Sequence, residues 1–165
     1  MENEECCPRF DPNPWDGRTV GWKDKRFIKE KVFTLFFIPI NFGSVMKRVM
    51  QMLDSQKVEC VENMILADHT SRWNMDIYLA VDREVQGSEN VTMSGRFLGK
   101  VFEGDFKETG RWCKEFEAYA KDKKVDVKKS YIWYTTCPKC AKKYGKNYVV
   151  MLGKVTEDEG TNASS

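Results

Sequence analysis

Residues 131–140 read Tyr-Ile-Trp-Tyr-Thr-Thr-Cys-Pro-Lys-Cys. Two chemistries meet in that stretch. Flat rings on an extended run stack on flat ligands, and their negative faces attract a cation, worth about 0.5–2 kcal/mol per good contact. A Cys-x-x-Cys turn offers two thiolates to a metal. Either the aromatics line a ligand pocket and the cysteines form a turn, or the cysteines hold zinc and the aromatics are core. The pocket is the stronger reading. A structural zinc takes four ligands, usually from two such pairs. The chain has no second Cys-x-x-Cys, and the adjacent Cys6 and Cys7 make a poor chelate. A zinc-stabilised interaction module built on Cys137 and Cys140 is therefore the alternative. A thioredoxin-like role needs the motif to open a helix after a strand, whereas Gly145, Lys146 and Asn147 lead straight back to a strand pattern. The single histidine, His69, sits beside Asp68 in a turn signal, and no Ser-His-Asp pattern accompanies it.

The elements that must position these residues belong to one soluble domain by length, 165 residues. That is enough to bury a core without disulfides. The net charge of +2, from 27 basic and 25 acidic side chains, gives no electrostatic case for nucleic acid. The lysines of 121–129 and 139–146 read as a solvated surface. No apolar run approaches the ~20 residues needed to cross a bilayer. The N-terminus, Met-Glu-Asn-Glu-Glu, has no apolar core of a signal peptide. A cytoplasmic chain with reduced cysteines is expected, with neither nucleic acid nor membrane as a partner.

Pro8, Pro12, Pro14, Gly17 and Gly21 mark residues 1–31 as an extended arm, which Trp15 and Trp22 would pin onto the domain. Residues 32–155 form the domain and 156–165 a disordered tail. Val32 to Phe42 is β-branched and aromatic, hence a strand. A helix follows from about Ser44 to Ser55, with Met46, Val49, Met50 and Leu53 on one face. Met64 to Ala67 is a short strand, and Asp68-His-Thr-Ser a turn. Trp73 to Val81 alternates: Trp73, Met75, Ile77, Leu79 and Val81 face one way, Asn74, Asp76, Tyr78 and Ala80 the other. A polar link over 82–94 leads to a second unit of the same order. Phe97 to Phe102 is its first strand. Asp105 caps a helix with Glu108 as capping-box partner. Thr109, Trp112, Cys113 and Phe116 repeat the first helix's stripe at a constant offset. Strands at Tyr131 to Thr136 and Asn147 to Val155 close the unit. The fold class is α+β: duplicated βαββ units forming an antiparallel sheet, two helices on one face and an aromatic ligand groove on the other.

This duplicated unit, with its strand, Glu-Gly-Asp-Phe, helix opening to the second half, resembles the GyrI-like small-molecule-binding domain family. The family's turn typically reads His-Gly-Pro-Tyr. Here Phe102-Glu103-Gly104-Asp105-Phe106 keeps the glycine and the aromatic, while Glu103 replaces His and Asp105 replaces Pro. The resemblance covers about Val32 to Val155. It implies a pseudo-two-fold pair of βαββ repeats with a saddle-shaped aromatic groove. It also implies diverse, often cationic, aromatic ligands, with roles in multidrug binding, sensing or detoxification. Some members carry a DNA-binding domain, for which this chain has no room. Stand-alone members include hydrolases of cyclopropane-bearing alkylating toxins. Where the family often has Glu-Leu-Tyr in the penultimate strand, this chain has Ile132-Trp133-Tyr134, without an acid.

If a carboxylate serves the groove, it comes from Asp76 or Glu103. Desolvation among rings would raise either one's pKa towards that of a general base. Such a base would activate water against a strained electrophile, with Trp133 and Tyr134 holding the substrate. The bland readings are a surface strand residue for Asp76 and a helix N-terminal charge for Glu103. The aromatic candidates are Trp133, Tyr134, Tyr131, Tyr148, Tyr78, Trp73 and Phe37. Alternation sends Tyr131 and Trp133 one way and Tyr134 the other, so the seven do not share one groove. The expected function is polyspecific binding of bulky aromatic, often cationic, small molecules, with hydrolysis as an open second step and no metal or cofactor.

Overall fold

The first strand, β1, runs over Thr19–Leu35 and is far longer than its apolar end suggests. The computed structural model describes residues 11–35, 38–69, 71, 73–104, 108–135 and 148–155. After β1 come β2 (Ile38–Pro39), α1 (Phe42–Gln56), β3 (Cys60–His69), β4 (Asn74–Val81), β5 (Glu89–Glu103), α2 (Thr109–Asp122), β6 (Val127–Tyr134) and β7 (Tyr148–Val155). The fold is α+β, two helices with a mostly antiparallel sheet and a buried aromatic cluster. It divides into two units, Asp24–Met93 on one side and the residues up to Lys23 with those from Ser94 onward on the other.

In the 24–93 unit, Phe27–Phe33 of β1 pairs with Ala80–Asn74 of β4, and β3 pairs with the other edge of β4. Both pairings are antiparallel. Residues directly opposite share a face, so Ile28, Glu30 and Val32 lie with Met75, Ile77 and Leu79. Arg48 of α1 reaches Glu30 at 2.6 Å, which puts α1 on that face. The helix buries Val45, Val49 and Leu53 there. The expected stripe was turned by part of a face: Val49 and Leu53 hold, but Met50 is exposed and Val45 is buried in its place. Lys57 ends the helix in the left-handed conformation at φ 56°. Two segments expected as turn or link are strand. β3 continues through Asp68 and His69, and β5 already starts at Glu89. The tight turn between β4 and β5 is held by Asn90, whose Oδ1 accepts from the Val85 N–H while its Nδ2 donates to the Val85 carbonyl, both at 2.9 Å.

In the other unit β7 pairs with β5 and with β6, both antiparallel. Phe102 of β5 stacks on Trp112 of α2, ring centroids 5.7 Å apart. That contact fixes the α2 face of the sheet: Phe102, Lys100, Ile132 and Tyr134 lie on it. α2 buries Trp112, Phe116 and Ala120, so Val49 and Leu53 of α1 match Trp112 and Phe116 at the expected offset. The helix runs from Thr109, and residues 105–107 of the capping-box reading lie outside the described residues. Glu108 makes no cap bond and pairs with Arg111 at 3.0 Å, while Asp105 lies outside the described residues. Gly104 stands at φ 153° with the Trp112 ring 3.1 Å from where a Cβ would be, so the turn after β5 requires glycine.

Candidate functional site

Register in the unit of β5, β6 and β7 assigns the sheet's second face, away from α2. Trp133 lies opposite Val150 and Val101, Tyr131 opposite Leu152 and Gly99, and Lys129 opposite Lys154 and Phe97. Tyr131, Trp133 and Phe97 therefore project together. Phe97 and Tyr131 are 6.4 Å apart by ring centroids, and Trp22 packs on Phe97 at 4.5 Å. Trp15 meets Trp133 edge to face at 5.0 Å, with the planes at 88°. Two ring groups, Trp15 with Trp133 and Trp22 with Phe97 and Tyr131, thus lie on the face opposite α2. Lys129 Nζ stands 5.8 Å from the Tyr131 centroid. Trp133 is only 3% exposed.

The two tryptophans of the N-terminal segment reach this face because the chain turns tightly before β1. The N–H groups of Trp15 and Asp16 both donate to the Pro12 carbonyl, at 3.0 and 2.9 Å. The Gly17 N–H donates to the Gly99 carbonyl at 2.9 Å, and the Gly99 N–H to the Arg18 carbonyl at 2.8 Å. Asp16 Oδ1 accepts from the Val101 N–H at 3.2 Å and lies 3.3 Å from Lys100 Nζ. A Cβ on Gly99 would sit 2.6 Å from the Trp15 carbonyl oxygen, so the close passage of this segment over β5 depends on glycine.

Tyr148 and Glu103 are register partners on the same face, one step of alternation beyond Trp133. Thr135 Oγ1 donates to the Tyr148 carbonyl at 2.6 Å. Glu103 is exposed. Tyr134 faces α2 instead, where it hydrogen-bonds Thr109. Burial pushes its phenol above the ordinary range; the Thr109 bond pulls the other way, and Cys113 adds a small push upwards. Tyr134 and Trp133 cannot hold one small substrate from one face.

In the 24–93 unit, the face away from α1 carries Lys29, Lys31, Asp76, Tyr78 and Asp68 in register. Asp76 is 8% exposed, and Lys29 Nζ lies 3.7 Å from its Oδ2. The same ammonium is 6.0 Å from the Tyr78 centroid. Asp68 lies directly across from Asp76 on β3 and is 9% exposed. Two buried carboxylates face each other across one strand pair, an arrangement that costs stability. The sequence reading missed Asp68 by taking it as a turn residue. The unbroken apolar run from Met64 to Ala67 gives no alternation that would carry the strand on to Asp68. His69 points to the α1 side, opposite Met75. Burial holds its pKa below the ordinary 6.5 against the weaker pull of Asp68. Trp73 precedes β4 and is 47% exposed.

Phe37, Cys6, Cys7, Cys137 and Cys140 lie outside the described residues. Among the described residues no group of three or more His, Cys, Asp and Glu is placed to hold a metal ion. Cys60 is a half-buried thiol whose pKa desolvation pushes up to about 11. No helix of the described residues is long and apolar enough to cross a membrane.

The family model described as Bacterial hydrolase matches residues 1–155. The chain belongs to that family. It is of the GyrI-like type, as the duplicated βαββ order implies. Among solved structures, SAV2435 bound to tetraphenylphosphonium aligns over 90% of this chain and 98% of its own, with a TM-score of 0.51 and 13% identity. At that identity the likeness is one of fold. Eleven solved chains match in all. No curated protein matches the chain.

Proposed function

We propose that this member of the bacterial hydrolase family binds bulky, flat, cationic or amphipathic aromatic compounds on the Trp133 face. Its role is sequestration, sensing or hydrolytic detoxification in the cytoplasm. The observation that carries the reading is the ring cluster on the sheet face away from α2, where Tyr131 and Trp133 project side by side with Phe97. Edge-on and tilted contacts are also how core aromatics pack; the reading rests on the collection of these rings on one sheet face, where a cation could meet ring faces once they are uncovered. Two further points support it. The family description names hydrolysis, and SAV2435, similar in fold, was solved with a lipophilic phosphonium cation.

In the hydrolytic form, Glu103 is the base on the ring face. A ligand that covers the ring face would lie beside that exposed carboxylate. The carboxylate then takes a proton from water as the water oxygen bonds to the electrophilic carbon of a strained ring. The ring bond that breaks passes its electron pair to the substrate's own electron sink, which takes up a proton. Asp76 is the second candidate base, already buried and held by Lys29 in its own unit. Tyr148 borders Glu103 and belongs to the binding face.

A tryptophan-quenching titration with tetraphenylphosphonium or a rhodamine tests the binding. Saturable micromolar binding, weakened at least tenfold (about 1.4 kcal/mol) in Trp133→Ala, is expected. Absence of saturable binding in a folded protein sinks the proposal. Turnover of a cyclopropane-bearing electrophile by the wild type, lost in Glu103→Gln but kept in Asp76→Asn, assigns the base; the reverse pattern assigns Asp76.

A further inference from the structure

We infer that Trp15 sets the specificity of the ring face: it occupies Trp133 while no ligand is bound, and a ligand must displace it. The inference rests on the binding reading above. Trp133 is almost fully buried, and the Trp15 indole stands against it edge-on at 5.0 Å. An aromatic guest stacked on Trp133 needs the space that this indole fills. Trp15 is therefore an internal stand-in for a ligand ring.

The way the segment is held makes displacement possible. Trp15 hangs from a short turn rather than from the sheet's interior. Two backbone bonds join Gly17 and Arg18 to Gly99, and the Asp16 carboxylate bridges the Val101 N–H and Lys100. Asp16 is exposed and Lys100 half-buried, so water competes directly for that ion pair. Among the described residues, releasing the turn breaks these contacts, next to the β1–β5 pairing, and leaves the β5–β7–β6 pairing intact. Opening of this size belongs to the low-stability end of a protein's local unfolding range.

The consequence is selectivity. A site whose competent form is only a fraction of the population binds every ligand more weakly by that fraction. A single-ring compound exchanges one aromatic contact for another and gains little. A multi-ring cation replaces the indole and also reaches Tyr131 and Phe97, gaining contacts that Trp15 does not make. Trp15 thus rejects small aromatic compounds and admits bulky polyaromatic cations.

The test uses the full chain with tetraphenylphosphonium as the probe and calorimetry as the readout. Trp15→Ala and Asp16→Asn are compared with wild type. The first removes the stand-in ring; the second loosens the turn without touching any ring and guards against a misfolded Trp15 variant. Amide hydrogen exchange at Gly17 and Gly99 is followed in the wild type with and without probe. The expected result is at least threefold tighter binding by both variants, with faster exchange at Gly17 and Gly99 in the saturated wild type. Binding that is unchanged or weaker in Trp15→Ala, or amides that keep or gain protection on saturation, overturns the inference while leaving the ring face as a binding site with Trp15 as a fixed wall. Absence of saturable binding by the wild type and both variants instead overturns the binding reading, and this inference with it.

Discussion

The Trp15 and Trp133 indoles meet edge to face, 5.0 Å apart and at 88°, although one belongs to the segment before β1 and the other to β6. The contact is possible because Gly99, on the intervening strand β5, has no side chain. Its backbone bonds Gly17 and Arg18 on the edge, and the Trp15 carbonyl passes within 2.6 Å of its missing Cβ position. One glycine and one tryptophan pair together decide where the N-terminal segment lies.

Gly99→Val should therefore lift the segment from β5. The new Cβ meets backbone, not a pliable side chain tip. Overpacking of this kind costs about 1–3 kcal/mol. The expected outcome is a lower melting temperature together with red-shifted tryptophan emission and increased acrylamide quenching. Unchanged emission and melting would show that the segment passes Gly99 elsewhere.

A second relationship invites a charge test. Asp68 and Asp76 are both buried and directly opposed on β3 and β4, and Lys29 pairs with Asp76. Asp68→Asn keeps the shape and removes one of two like charges, so it should stabilise the fold by roughly 0.2–1 kcal/mol. Asp76→Asn also removes the Lys29 partner and should stabilise less or destabilise. Urea denaturation of both single variants and the double variant reads the coupling. A loss on Asp68→Asn larger than that on Asp76→Asn contradicts the repulsion argument.

The half-buried thiol at Cys60 gives a prediction of reactivity. Its Sγ lies 3.9 Å from the Met64 carbonyl, and desolvation raises its pKa from 9.0 to about 11. The thiolate is the reacting species. A rise of about two units lowers its fraction at neutral pH about 100-fold. Residue-resolved mass spectrometry after brief iodoacetamide treatment of the native protein should find Cys60 unmodified. Cys113, raised in the same direction by burial and by Glu117, should also lag an ordinary thiol. Rapid native labelling of Cys60 would contradict the desolvation of its thiolate.

Most of the element order was legible because the signals are local. The alternation from Trp73 to Val81 put Asp76 and Tyr78 on one face of β4, where they lie. The Trp112 and Phe116 stripe was equally plain. The first helix misled because Met46 and Met50 are as apolar as Val45, and only the sheet beneath decides which side turns inward. The early part of β1 was hidden by charged residues and by Gly21. The polar Asp68-His-Thr-Ser run looked like a turn because both its first residues are hydrophilic, yet β4 holds Asp68 and His69 in register. Alternation separated Trp133 from Tyr134, but which face met α2 depended on Trp112 and Thr109. The Gly99 passage is non-local and leaves no sequence signal beyond a glycine in a strand.

His69 supplies a pH test with a definite sign. It is partly buried on the α1 side of β3, and its folded pKa lies below 6.5 because burial outweighs the attraction of Asp68. Above that value both folded and unfolded chains hold a neutral imidazole. As pH falls below 6.5 the unfolded chain takes a proton that the folded chain resists, so folding stability declines until the folded pKa is reached. The decline is present in the wild type and absent in His69→Gln. Urea denaturation between about pH 7.5 and pH 5, above most of the carboxylate titration, isolates it. The wild type should lose more stability over that interval than His69→Gln does, and Asp68→Asn should steepen the loss by removing the charge that favours the imidazolium. Parallel pH profiles for wild type and His69→Gln would mean that His69 titrates alike in both states and is not desolvated by the fold.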